Sequence, residues 1–178
     1  MDLLRRFTLG DVDAFETLVR QIQGNIYAWI IRFVRDPGIA EDLTVEALWR
    51  IYRSRQRFRV GGNFDGWTRR IATNLAIDYL RRKRPEDELI AEPVATPQPD
   101  HLIGSYMRDQ IQEAFRRLPA KLQVAATLAL IEERPYGEIA EALGTSVGAV
   151  KLRVFRAVRI LRKRLSDIGV TPEGKASE

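Results

Sequence analysis

An all-α fold in two small domains is the expectation for this 178-residue chain, and three observations carry it. Apolar residues recur at three- and four-residue steps along most of its length, and no stretch alternates as a half-buried strand would. Proline and glycine cluster between these periodic runs, where helices start and stop. The segment 85–104 holds four prolines and five acids with no Lys or Arg, and divides the chain in two.

Taken in order, the first apolar series is Val12, Phe15, Leu18, Val19, Ile22, Ile26, Trp29, Ile30 and Phe33. It predicts a helix or a helix pair, with Gly24-Asn25 as the candidate break and Asp36-Pro37-Gly38 as the stop. A third helix is expected from about Ile39 to Ser54, with Ile39, Leu43, Ala47 and Ile51 facing the core. Residues Arg55–Asn63, with Gly61-Gly62, read as a loop. A fourth helix runs from about Phe64 to Lys83 and ends before Pro85. The acidic, Pro-rich stretch 85–104 is expected to be an extended linker. Regular structure resumes near Ser105. Leu118-Pro119 and Arg134-Pro135 each separate one helix from the next, because proline suits a helix's beginning. The expected domains are therefore 1–84 and 105–168, with the linker between them and a fraying tail at 169–178.

Charge narrows the function. The net charge is +5, but it is unevenly spread. Residues 1–84 carry a net +6, residues 85–104 a net −5 and residues 105–178 a net +4. Two basic blocks around an acidic segment suit a polyanionic partner. The chain has no cysteine, which excludes disulfides, Cys-based metal sites and thiol chemistry. No apolar run approaches membrane-spanning length, and Met1-Asp2 does not begin a signal peptide. A cytoplasmic protein with no membrane insertion is expected.

The C-terminal block carries the clearest motif. Tyr136–Leu143, the Gly144 turn and the run from Val147 read as a helix-turn-helix, for which DNA is the default partner. On the second helix, Val147, Val150, Val154, Ala157, Val158, Leu161 and Leu165 form the core stripe. Lys151, Arg153, Arg156, Arg159, Arg162, Lys163 and Arg164 fill the remaining arc. Ser146, Gly148, Ala149 and Lys151 lie at the end that enters a major groove, and the later arginines can grip phosphates. Leu152 and Phe155 fall on the basic side. There they can meet a thymine methyl, a partner protein or the preceding helix.

The N-terminal block has its own pattern. In the fourth helix Phe64, Ile71 and Leu75 face the core, with Trp67 at the edge of that stripe. Trp67, Arg70, Asn74, Ile77 and Arg81 form an adjacent stripe flanked by Asp78. Arginine, amide and aromatic groups on one face suit nucleic acid, including bases turned out of a duplex. For Trp67 alone a core role is favoured. Arg81-Arg82-Lys83-Arg84 makes a phosphate-seeking cluster. In the third helix Asp42, Glu46, Trp49, Arg50 and Arg53 share an exposed stripe. This is either a protein-binding surface or a solvated face with a Glu46–Arg50 pair.

These residues together resemble a known family. Ala40–Leu48 and Phe64–Arg82 are similar to the first conserved domain of bacterial sigma factors of the extracytoplasmic-function group. Leu118-Pro119 with Tyr136–Leu165 is similar to their second. The resemblance covers nearly the whole chain. It implies a non-catalytic, cofactor-free initiation subunit of RNA polymerase. Asp42, Glu46, Trp49, Arg50 and Arg53 would bind the clamp helices of the largest polymerase subunit. Arg57, Arg59 and Asn63 in the loop, with Trp67, Arg70, Asn74, Asp78, Arg81 and Arg82 on the helix, would recognise and open the −10 element of the promoter DNA. Ser146, Val147, Gly148, Ala149, Lys151, Arg153, Arg156 and Arg159 would read the −35 element. The linker would thread toward the polymerase channel, and an anti-sigma factor would regulate the protein. The chain departs from the family's usual residues at Val45, Leu48, Ala149 and Leu152. The hydroxyls missing at the last two remove hydrogen bonds without removing the binding mode.

Two other readings start from the same residues. A stand-alone dimeric helix-turn-helix regulator explains Tyr136–Arg164 but not the Trp67–Arg84 block. A metal nuclease would need Glu41, Asp42 and Glu46 to converge, yet Glu41 and Asp42 point to different sides of their helix. The single histidine, His101, falls in the linker.

Overall fold

A computed structural model describes residues 3–83 and 103–167, and every regular element among them is helical. The linker 85–104 up to its last two residues, His101 and the tail 169–178 lie outside the described residues. The first block contains α1 (Leu3–Thr8), α2 (Val12–Val34), α3 (Pro37–Arg53), a single 3-10 turn (Arg55–Arg57) and α4 (Phe64–Lys83). The second contains α5 (Ile103–Arg116), α6 (Ala120–Ala126) running on into one wider π turn (Thr127–Ile131), α7 (Tyr136–Leu143) and α8 (Val147–Asp167).

Local chemistry sets most of the ends. The Asp11 carboxylate accepts the Ala14 N–H at 2.9 Å and caps α2. Arg6 donates to the same carboxylate, and that bond together with the cap holds Asp11 below the ordinary aspartate range. Asp36 caps α3 through the Ile39 N–H at 3.1 Å, and Pro37 takes the first helical position. The Asp36-Pro37-Gly38 run therefore starts α3 as much as it separates it from α2, and α3 begins two residues earlier than expected. α4 has the bounds the sequence predicts. Pro119 and Pro135 each stand one position before their helix.

The choice left open at Gly24-Asn25 is settled, and one element is added. Gly24-Asn25 does not break α2, which is continuous over 23 residues. Both residues face solvent, and a lone glycine in an otherwise favourable helix costs only about 1 kcal/mol. α1 was not anticipated from periodicity, since six residues are too few to show any. It is held by Phe7, fully buried against the rings of Phe15 and Phe64, each 5.9 Å away.

α2 is the spine of the first block and packs against both α3 and α4. Leu18, Ile22, Ile26 and Ile30 from α2 meet Leu43, Ala47 and Ile51 from α3 and Ala72, Leu75 and Ala76 from α4 in one core. The Trp29 indole N–H donates to the Thr73 hydroxyl at 2.9 Å inside it. In the second block α6 and α7 pack on α8 through Val124, Leu128, Ile139, Val150 and Val154. α5 closes the far side of α8 over a small separate cluster of Ala114, Leu118, Ala126, Ala157 and Leu161.

The two blocks also pack on each other. α4 lies against α6 and α7, and the main apolar cluster is continuous across the junction. Ile77, expected on the polar stripe of α4, is instead buried at 5% exposure. A helix covered on two sides needs a wider apolar face than the single stripe that periodicity finds.

Candidate nucleic-acid and polymerase interface

The helix-turn-helix forms as its sequence suggests. Gly144 ends α7 with φ +58°, a left-handed conformation that costs an L-residue with a side chain about 1–2 kcal/mol. Its N–H and that of Thr145 return to the Glu141 and Ala140 carbonyls. The Ser146 hydroxyl accepts the Ala149 N–H at 3.2 Å and caps α8.

α8 divides into two faces. Val150, Val154, Ala157 and Leu161 are buried, and Val158 and Leu165 are half-buried. Val147, expected in the core stripe, is exposed at the helix start beside Ser146 and Gly148. Lys151, Arg156 and Arg159 point to solvent, while Ala149 and Arg153 are half-buried. Leu152 and Phe155 are 48% and 65% exposed, so they do not rest on the preceding helix.

On α3 the stripe is presented as expected. Asp42, Trp49, Arg50 and Arg53 are exposed, and Glu46 accepts from the Arg50 Nε at 2.7 Å. Trp49 is 53% exposed and stacks on Tyr52, with Val45 one turn away at 68%. Two large apolar side chains therefore stand in water on one helix face, ringed by charges.

α4 is the more complicated element. Arg57, Arg59 and Arg82 are exposed. Trp67 is half-buried among Phe58 and Phe64, with ring centroids 5.2 Å and 5.8 Å away, which supports the core role favoured for it. Asn63 does two jobs. Its carbonyl accepts the Gly66 N–H at 3.0 Å and caps α4. Its amide donates to Glu141 of α7 at 2.7 Å. The Arg70 guanidinium lies against Gly144, where an added Cβ would sit 2.3 Å from its Nε. Asn74, Asp78 and Arg81 line a cleft with Arg50 of α3, Lys121 of α6, and Leu143 and Arg153 of the helix-turn-helix.

The structure thus brings residues expected at the −10 element against the helix-turn-helix, with Arg153 of the −35 set lining the shared cleft. Further contacts tie the blocks together. Arg32 pairs with Glu132 at 3.5 Å, and the Arg134 guanidinium sits 5.4 Å over the Trp29 ring. Sequence reasoning singled out none of Lys121, Glu132, Arg134 or Glu141 as a functional residue. The one available signal was Gly66. It is small, sits inside a helix and leaves room for a close approach.

No group of three or more His, Cys, Asp or Glu side chains that could hold a metal ion occurs among the described residues. No described helix is long and apolar enough to cross a membrane.

Comparison with known proteins places both blocks in one family. Residues 18–86 match the profile of sigma-70 region 2, and residues 108–161 match that of sigma-70 region 4. The chain is 33% identical over 180 residues to the ECF RNA polymerase sigma factor SigW of Bacillus subtilis, covering 93% of this chain and 96% of the relative. It is also 33% identical to the RNA polymerase sigma-H factor of Pseudomonas aeruginosa, covering 93% of each. The fold is shared with CnrH, solved in complex with the cytosolic domain of CnrY, at a TM-score of 0.60 and 20% identity, over 93% of this chain and 96% of that one. It is shared too with the sigma factor RpoE of Bartonella quintana, solved with the anti-sigma factor NepR, at 0.53 and 24%, over 85% and 96%.

Proposed function

The chain belongs to the extracytoplasmic-function group of the sigma-70 family, alternative sigma factors that direct RNA polymerase to promoters, and on that premise we propose how its surfaces divide the work. The α3 stripe of Asp42, Glu46, Trp49, Arg50 and Arg53 binds the clamp helices of the largest polymerase subunit. The loop at Arg57, Arg59 and Asn63, with Trp67, Arg70, Asn74, Asp78, Arg81 and Arg82 on α4, recognises and opens the −10 element. Ser146–Arg159 on α8 reads the −35 element, the arginines holding phosphates while the helix start meets bases. The protein acts as a non-catalytic subunit in the cytoplasm.

The observation that carries this reading is the pair of basic faces on α4 and α8, in the two matched regions, beside an exposed aromatic stripe on α3. A stand-alone regulator would need only the second face. The closed packing adds a requirement. Asn63 and Arg70 are engaged by α7 and the Gly144 turn, so the blocks must separate before both promoter elements are bound. Polymerase binding at the α3 stripe supplies the energy for that separation. An anti-sigma partner is proposed as well, in keeping with relatives of this fold solved with such partners.

The test is reconstituted transcription of genomic DNA with core polymerase. Asn74→Ala and Arg81→Ala are expected to reduce promoter opening with core binding intact, and Lys151→Ala and Arg156→Ala to weaken dependence on the −35 element. If all four variants initiate as the wild type does, these faces do not read the promoter.

A further inference from the structure

The cleft between the blocks gathers residues assigned above to the promoter and the polymerase, together with Lys121, which neither assignment uses. Its volume is about 410 Å³, within the range of small-ligand sites and too small for a duplex. Arg50, Arg81, Lys121 and Arg153 reach it from four different helices, with the Asn74 amide and the Asp78 carboxylate between them. Arg50 is paired with Glu46. Among the described residues, Arg81, Lys121 and Arg153 have no carboxylate within ion-pair distance. Cations held together in a cleft with protein walls focus a positive potential, and closing the blocks costs energy unless an anion enters.

We propose that this cleft binds an oligophosphate, inorganic or borne by a nucleoside, which bridges the two blocks and holds them closed. Several phosphates in a row match several separated cations better than one small anion does, and guanidinium forks suit phosphate oxygens. Asp78 opposes the phosphates and sets an upper limit on affinity. Because Lys121 and Arg153 come from one block and Arg50 and Arg81 from the other, the ligand recognises the closed arrangement only. At ten times its dissociation constant it raises the closed-to-open ratio about elevenfold. The consequence for transcription, slower engagement of the −10 element, rests on the reading of α4 given above. The site itself does not.

The experiment is calorimetric titration of the intact protein with sodium tripolyphosphate and, separately, with ATP, at physiological salt. One saturable site is expected. Lys121→Glu is expected to weaken it at least tenfold, with Lys121→Gln intermediate, and Asp78→Asn to tighten it severalfold. Lys163→Glu, an exposed charge on α8 that does not line the cleft, is expected to leave it unchanged. Tighter binding of ATP assigns a nucleoside ligand, and equal binding assigns the phosphate chain alone. Both support the site. Absence of saturable binding up to millimolar ligand overturns it. So does equal weakening by Lys163→Glu, or binding indifferent to Lys121→Glu in a variant with wild-type circular dichroism. Binding of a single-stranded oligonucleotide, but not of tripolyphosphate, through Lys121 would also overturn it. Transcription with core polymerase is measured alongside, so failure of the cleft and failure of the promoter-reading assignment are told apart.

Discussion

Gly66→Ala separates the energetics of closure from those of folding. Gly66 is buried in the first turn of α4, and an added Cβ would sit 2.2 Å from the Glu141 Oε1 and 2.8 Å from the Asn63 Nδ2. The methyl must displace the Glu141 carboxylate and shift the Asn63 amide, both ends of flexible side chains, and the carboxylate can swing into solvent. That swing breaks the 2.7 Å bond from Asn63, whose worth at this exposed site is about 1 kcal/mol. Alanine in place of glycine meanwhile favours the helix by roughly 0.5–1 kcal/mol, but it does so whether the blocks are closed or open. The helix gain cancels from the closure equilibrium, and the lost bond does not. The closed-to-open ratio is expected to fall about fivefold while helix content is unchanged. The chain has no cysteine, so cysteines placed at the exposed positions Gln23 and Lys163 accept donor and acceptor dyes uniquely. Single-molecule energy transfer then counts both states. An unchanged closed fraction, with circular dichroism as in the wild type, would show that the Asn63–Glu141 contact does not hold the blocks together.

Three further outcomes are expected from the structure. Gly24→Ala lies mid-helix with nothing within 4 Å of the new methyl, and should stabilise the protein by about 0.5–1 kcal/mol, read as a rise of a few degrees in Tm. Thr73→Val removes the acceptor of the buried Trp29 N–H and should destabilise by about 1–3 kcal/mol in urea unfolding. Glu113 is held below its ordinary value of 4.5, first by the hydrogen bond from Arg117 and then by the charges of Arg116 and Arg117. A carboxylate with a lowered folded pKa adds stability above its unfolded value and loses it as pH falls through the folded one. Glu113→Gln should therefore have a lower Tm than the wild type at pH 7, with the difference shrinking as pH falls below about 4.5 and disappearing once pH is below the lowered folded value.

How much of this was legible in the sequence depends on which forces acted locally. α3, α7 and α8 were readable because each has one buried stripe, and α4 because part of its wider core face, Ile71 and Leu75, keeps helical spacing. The Gly144 turn is the clearest case, since its left-handed backbone was implied by residue type alone. The exposed stripe of α3 was legible for the same reason. What the sequence did not show is long-range. Ile77 fits a polar stripe by spacing, and only the approach of the second block buries it. Lys121 reads as one more surface base until α6 is placed beside α4. Glu141 and Asn63 are 78 positions apart, and no periodicity connects them. Trp29 illustrates both kinds of information. Its burial follows from the α2 stripe, but its stacking under Arg134 does not.

The most direct measurement is a titration of the same doubly labelled protein with bacterial core RNA polymerase, with a housekeeping sigma factor as competitor. Tight, saturable binding that the competitor reverses is expected, with energy transfer falling as the blocks separate. Asp42→Arg and Arg53→Glu are expected to shift the curve to higher polymerase without changing its end point. No binding by a folded protein to active core, or binding that leaves energy transfer at its free value, would contradict the assignment of α3 as the polymerase face and of opening as its consequence.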